Sequence, residues 1–289
     1  MRPYLELIRL PAVFTAPADV LMGMALASLM APISILTMIC LVVASAAIYC
    51  AGMAANDIFD AAVDARERPG RPIPSGRVPL ARAWTLVLTL QAVGLGLAAV
   101  VGTPSLIAVA LTIGATYLYN AAVKDSVLGP LAMGTCRYGN ALIGITAVGW
   151  PTPVVVYLIP LTTVLYVCGL TFLSRHEVDG ATPQQVAPPM AVMLLGVVIS
   201  ALWAPLGVLS TPVGAALVAI PLLWLLPALK RGYTAPGAGP VRGAVMAGIF
   251  GIAMVNGVIA AQAGAWIAAA IIIGLLVPGK MVGRWFYAT

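Results

Sequence analysis

The chain has 289 residues, 62% of them hydrophobic and only 8% charged, with a formal net charge of +6. A soluble domain carries about 25% charged residues, so this chain cannot cover a water-facing surface, and most of its surface must face lipid. The positive balance does not point to nucleic acid, because the basic residues lie in short loops between apolar runs, as cytoplasmic loops do under the positive-inside bias.

The N-terminal MRPYLELIRLPAVF lacks a short apolar region followed by a small-residue cleavage site, so it is not read as a cleaved signal peptide. Apolar runs long enough to cross about 30 Å of hydrocarbon as helices follow at approximately 12–31, 35–56, 80–101, 105–122, 128–149, 153–173, 189–206, 211–229, 243–262 and 264–278. A lipid-facing barrel would instead show shorter, alternating segments. The connections near 32–34, 102–104, 150–152, 207–210 and 263 hold no Lys, Arg, Asp or Glu. The charge lies in the other connections: Arg66 to Arg82, Lys124 to Arg137, Arg175 to Asp179, and Lys230 to Arg242. Arg2, Arg9, Lys280 and Arg284 put both termini on that same side, which the positive-inside bias makes cytoplasmic. The expected fold is an all-α, polytopic membrane helical bundle of about nine to ten transmembrane helices, a single domain over 1–289. Cys40, Cys50, Cys136 and Cys168 have no metal-ligand spacing and read as small core residues.

The densest charge lies in Asn56 to Gly76, NDIFDAAVDARERPGRPIPSG, which holds four of the nine acidic residues: Asp57, Asp60, Asp64 and Glu67. The apolar run at 35–56 leads into it without a helix breaker. If the helix continues, the spacings of three and four put Asn56, Asp57, Asp60 and Asp64 on one face of one helix end. Carboxylates so placed repel unless a cation or a polar cavity answers them. Hard oxygen ligands suit Mg²⁺, with phosphate oxygens completing its shell, and Arg68 and Arg71 follow closely enough to grip phosphate. The blander alternative is a solvated loop whose Asp and Arg residues pair with one another. Helical spacing at a membrane boundary argues against it, since acids at membrane depth are costly and functional by default.

Asn56-Asp57-x-x-Asp60-x-x-x-Asp64 followed by Arg71-Pro72-x-Pro74-Ser75-Gly76 resembles the first aspartate-rich motif and RP-x-PSG sequence of the UbiA superfamily of intramembrane prenyltransferases. That resemblance implies a Mg²⁺-dependent prenyltransferase moving a prenyl group from a polyprenyl diphosphate to an acceptor, usually aromatic but also another small molecule. It would make Asn56, Asp57, Asp60 and Asp64 the Mg²⁺ ligands and Arg71 a diphosphate contact. Tyr119-Asn120-Ala121-Ala122-Val123-Lys124 is similar to the family's Tyr-Pro-x-x-Lys segment, shifted or expanded by one residue, which would make Lys124 a phosphate contact. Arg137 and Asn140 lie one helical turn apart and face either the interface or a polar substrate cavity. The glycines at 134, 139 and 144 fit close helix packing.

The match fails in the second acidic stretch, Leu170 to Gly180, where only Glu177 and Asp179 are acidic, two residues apart. Arg175 stands where an acid is expected, beside His176, the one histidine. Either Glu177, with or without Asp179, holds a second Mg²⁺, or Arg175 and His176 supply fixed positive charge to the substrate instead. A solvated loop without a role is the third reading. Asp60, Asp64, Glu177 and Asp179 are the candidate catalytic residues, with His176 a further candidate base. The Ser174-Arg175-His176-Glu177 stretch most resembles UbiA-like proteins of the bacterial ebo gene cluster, which would place the protein in a bacterial inner (plasma) membrane. A non-catalytic isoprenoid-lipid binder or carrier is the rival function. A transporter is disfavoured, because transporter sites lie near the bilayer midplane, whereas this charge lies at helix ends.

Overall fold

The structure, a computed structural model, describes residues 2–150, 152–235 and 237–286, with side chains through Gly283. Arg284, expected on the charged face, has its side chain outside that set. In chain order the α-helices are α1 (Arg2–Leu7), α2 (Thr15–Ala27), α3 (Ile35–Phe59), α4 (Ala61–Glu67), α5 (Leu80–Val101), α6 (Thr103–Leu118) and α7 (Gly129–Ile145). They continue with α8 (Val154–Leu158), α9 (Leu161–Ser174), α10 (Pro183–Ser200), α11 (Ala219–Thr234), α12 (Ala238–Gln262), α13 (Trp266–Gly274) and α14 (Leu276–Phe286). Among the described residues there is no strand.

Nine helical stretches among the described residues are long and apolar enough to cross a membrane. To these α7 adds a tenth crossing, less apolar because it carries Arg137 and Asn140. Just past the end of α9, Arg175 donates to the carbonyls of Lys124 and Ser126, just before α7. The end of α9 and the start of α7 therefore share a face, and α7 must cross to reach the opposite one, where α8 and α9 begin. The polarity is inverted relative to a soluble protein. Ile35 and Ile267 are 76% and 79% exposed, while Asp19, Ser45, Asn256 and Gln262 are fully buried. Apolar groups on the outside are stable only against hydrocarbon. This is an integral membrane protein.

At the centre stands α2, every residue of which is buried. It packs on α3, α7 and α12, and its glycine permits the closest of these approaches. A Cβ added at Gly23 would collide with the Ala141 carbonyl, and one at Gly144 with the Val20 carbonyl. Helices that attract each other only by van der Waals contact in lipid use such small residues to bring backbones together. Gly134 and Gly139 serve likewise, against Val164 and Thr112. Gly144→Leu is expected to cost at least about 1–3 kcal/mol through overpacking, read as a lowered thermal midpoint of the purified protein in detergent.

Several boundaries differ from the sequence expectation, and two have a local physical reason or bear on the site. α10 begins six residues before the expected 189, because Thr182 and Gln185 form a capping box that starts the helix ahead of Pro188 and Pro189. The helix expected to carry on past Asp60 instead ends at Phe59 and restarts as α4.

Candidate active site

The last turn of α3 delivers Asn56 and Asp57, and Asp60 sits at the junction, closing α3 and opening α4 (φ −85°, ψ −5°). The backbone stays nearly helical through it, since the Asp60 amide donates to the Asn56 carbonyl and the Asp64 amide to the Asp60 carbonyl, at 2.9 and 2.8 Å. The four polar residues thus stay at one end of the bundle, but they do not share one point. Asp57 and Asp64 are buried and turn toward Arg71, whose Nη1 donates to Asp57 Oδ1 at 3.3 Å and Asp64 Oδ2 at 2.6 Å. Asp60 turns away to pair with Lys124.

Lys124 arrives there through an unusual turn. Residues Tyr119–Val123 form a π-helical turn, and the Lys124 amide donates to the Tyr119 carbonyl, five residues back, at 3.0 Å. Such a turn holds one residue more than an α-helical one, which favours expansion over shift for the Tyr119–Lys124 segment. It also brings Asn120 to Asn56, whose Nδ2 donates to Asn120 Oδ1 at 3.0 Å.

Arg9 is a member of this site that sequence reasoning used only for topology. It is the one non-glycine among the described residues with a left-handed backbone (φ 49°), an arrangement that costs of order 1–3 kcal/mol. Its Nη2 reaches Asn56 Oδ1 and Asp57 Oδ1, both at 3.2 Å. Three cations, Arg9, Arg71 and Lys124, therefore answer the three aspartates.

Through Arg9, Asn56 and Asn120, which line it, this cluster borders a cavity of about 310 Å³ enclosed by α3, α6, α7, α9 and α12. Its walls are largely apolar, with Ile48, Met53, Met133, Leu170 and Ile249 among them. Glu177 lines the cavity from the turn after α9, and its carboxylate makes no ion pair among the described residues. Asp179 and Arg175 are exposed and His176 is half-buried, and none of the three lines the cavity. Arg175 instead ties the turn after α9 to the loop before α7. Arg68 is exposed just past α4 and lies outside the lining.

Away from the charged rim, the cavity meets a polar floor. Arg137 and Asn140 line it from α7. The Arg137 guanidinium donates to Asp19 Oδ2 at 3.1 Å and Thr15 Oγ1 at 3.0 Å, and lies 5.5 Å from the Tyr49 ring centroid. Asp19 also accepts from Asn256 Nδ2 at 2.7 Å, and Asn256 in turn accepts from Thr163 at 2.8 Å. Asn140 accepts from Ser45 at 3.0 Å. Asp19 and Asn256 were missed in the sequence, although a lone acid within the apolar stretch 12–31 is itself a signal.

For a divalent ion the donor chemistry fits, in modified form. Asn56, Asp57 and Asp64 offer hard oxygen donors, and the Arg71 nitrogen between the two carboxylates shows that the position accepts positive charge. Mg²⁺ is commonly held by one or two carboxylates plus phosphates. The expected convergence of three acids is not found: among the described residues no three of His, Cys, Asp or Glu stand close enough to share an ion. Asp60 pairs instead with Lys124.

Comparison with known proteins adds independent findings. A family model described as the UbiA prenyltransferase family matches residues 18–238. A digeranylgeranylglyceryl phosphate synthase of Methanopyrus kandleri is 40% identical over 157 residues, 54% of this chain and 56% of that relative. One of Ignicoccus hospitalis is 33% identical over 230 residues, 78% of this chain and 74% of that relative. The match covers less than two thirds of the first relative, and also of the Sulfurisphaera tokodaii relative, at 63%. Among solved structures, a UbiA homologue of Aeropyrum pernix K1 superposes with a TM-score of 0.69 at 19% identity, covering 90% of this chain and 98% of that one. A UbiA homologue of Archaeoglobus fulgidus, solved bound to GPP and Mg²⁺, gives 0.66 at 17% identity, covering 89% and 99%.

Proposed function

Because the chain belongs to the UbiA prenyltransferase family, we propose that it moves a prenyl group from a polyprenyl diphosphate to a small acceptor within the membrane. The observation that carries this reading is the cluster of Asp57, Asp60 and Asp64 with Arg9, Arg71 and Lys124, which borders an apolar-walled cavity through Arg9 and Asn56. A diphosphate and a prenyl chain need that juxtaposition of charge and grease. The GPP and Mg²⁺ in the Archaeoglobus fulgidus homologue support it.

Asn56, Asp57 and Asp64, joined by Asp60 once Lys124 turns to phosphate, would hold Mg²⁺. When bound, the ion supplies Lewis-acid stabilisation of the departing pyrophosphate. Arg9, Arg71 and Lys124 exchange their carboxylate partners for phosphate oxygens and steady the negative charge that develops as the allylic C–O bond breaks. Ile48, Met53, Met133, Leu170 and Ile249 hold the prenyl chain and keep water from the reacting carbon. Glu177, which lines the cavity and has no cation on it among the described residues, takes the proton that the attacking acceptor gives up. By its clasp on the Lys124 and Ser126 carbonyls, Arg175 fixes the loop that carries Lys124. The positive-inside bias puts this mouth on the cytoplasmic face.

Purified protein with Mg²⁺ and labelled geranyl to longer prenyl diphosphates is expected to release pyrophosphate and form prenylated product. Lys124→Met should lower that rate by about 10²-fold, as loss of one transition-state contact does. Lipid binding without turnover across a broad acceptor panel would reassign the protein as a non-catalytic carrier.

A further inference from the structure

We infer that the acceptor is an uncharged hydroxyl compound received by the Arg137–Asn140 floor, and that Asp19 is the positioning residue that sets this preference. The inference rests on the prenyl-transfer reading and assigns the acceptor end of the same cavity.

The argument is one of charge. Among the described residues three charged side chains line the cavity: Arg9, Arg137 and Glu177. Arg9 is held by Asp57, and Arg137 by Asp19, so each positive charge facing the cavity is already balanced by a carboxylate behind it. Glu177 adds a negative charge with no cation on it among the described residues. At the rim, Arg71 and Lys124 are matched in turn by Asp64 and Asp60. One diphosphate can displace the rim acids, but no described residue deeper in the cavity offers surplus positive charge to a second anion. Bringing one in would leave it desolvated and unpaired, an expensive outcome in a low-dielectric site.

The floor nevertheless offers hydrogen bonds. A guanidinium has five N–H donors, and hydrogen bonds to Asp19 and Thr15 occupy two of them. With its charge cancelled, Arg137 presents N–H groups suited to a neutral oxygen. Asp19 reaches no substrate itself, being fully buried, and it is locked on its far side by Asn256. A buried ion pair is seldom the most stable way to fill a membrane core, since apolar residues of similar volume do as well or better. Here the pair opens onto the cavity, with the Arg137 side chain 11% exposed. A role in recognition explains both its burial and its opening.

The test uses the full chain purified in detergent, with Mg²⁺, labelled geranylgeranyl diphosphate, and two membrane-soluble probes that differ only in charge: a 1-O-alkylglycerol and its 3-phosphate. The native protein is expected to prefer the uncharged probe by about tenfold or more in kcat/KM, the scale of one uncompensated charge nearby. Asp19→Asn leaves Arg137 positive and should shift that ratio toward the phosphate by about tenfold or more, a change that mere loosening of the fold would not produce. Should Asp19→Asn not fold, Asn140→Asp, which adds negative charge to the floor, must shift the ratio the opposite way. Native preference for the phosphate, or a ratio unmoved in a folded variant, overturns the inference and leaves prenyl transfer standing. Absence of pyrophosphate release with either probe also overturns the inference, and the broad acceptor panel then decides whether prenyl transfer stands.

Discussion

Asp64→Ala is expected to reduce prenyl transfer by at least about 10²–10³-fold, the loss typical when a group that supports transition-state charge is removed, measured as acceptor-dependent pyrophosphate release. Asp64 is 4% exposed and takes the shorter of Arg71's two contacts, at 2.6 Å. Removing it deletes a candidate oxygen ligand and also frees Arg71 to fall onto Asp57 alone. Asp64→Asn separates these effects. An amide oxygen still accepts from Arg71 but is a poor substitute for a carboxylate on a divalent ion. Near-complete loss in Asp64→Asn therefore signals a ligand role, and substantial retention signals a role confined to placing Arg71. Asp60→Ala should fail to a similar degree, because it releases Lys124 and removes the third acid. Glu67, exposed on the same short helix, is the control, and Glu67→Ala should change stability by less than about 0.5 kcal/mol and leave turnover intact. Full activity in Asp64→Ala would mean that the acidic segment is not the site.

The largest effect on stability is expected at Arg137. Replacing it with methionine leaves the fully buried Asp19 without its cation, and breaking a buried pair in this way costs about 3–5 kcal/mol. The damage should spread, because Asp19 joins α2 through Asn256 to α12 and through Arg137 to α7. The thermal midpoint in detergent is the measure. The paired variant Asp19→Asn with Arg137→Met should recover much of the loss, since no isolated charge remains. If the single variant is as stable as the native protein, the pair is not holding α2 in place.

How far the sequence foretold this arrangement depends on which residues are considered. The first acidic segment was legible because charge is rare in an apolar chain, and the alternation of charged and uncharged connections gave the crossings. α7 was readable as a span even though Arg137 and Asn140 make it the least apolar of them. Nothing local to Asp60 reveals the break between α3 and α4, because no proline or glycine intervenes, nor that its carboxylate pairs with Lys124, 64 residues on. The two acids of the second stretch were equivalent in sequence, yet only Glu177 lines the cavity, since Ser174 ends α9 and the following turn carries Asp179 outward. Arg9 could not be found by pattern, because its place depends on a left-handed residue that folds the N-terminal segment over the end of α3. Asp19 could have been found. A single acid among apolar neighbours warrants a search for its partner, and the nearest cation in space lies 118 residues away.

The widened turn at Tyr119–Val123 bears on how motifs should be compared across chains. One extra residue in an ordinary helix would rotate everything after it by about 100°, and Lys124 would then point away from Asp60. By opening a single turn the helix absorbs that rotation at its origin, and the downstream phase is preserved. Spacing along the chain and direction in space are thereby decoupled at this point. Two sequences that differ in length here can present the same lysine to the same acid, and an alignment that penalises the added residue will misjudge them as different.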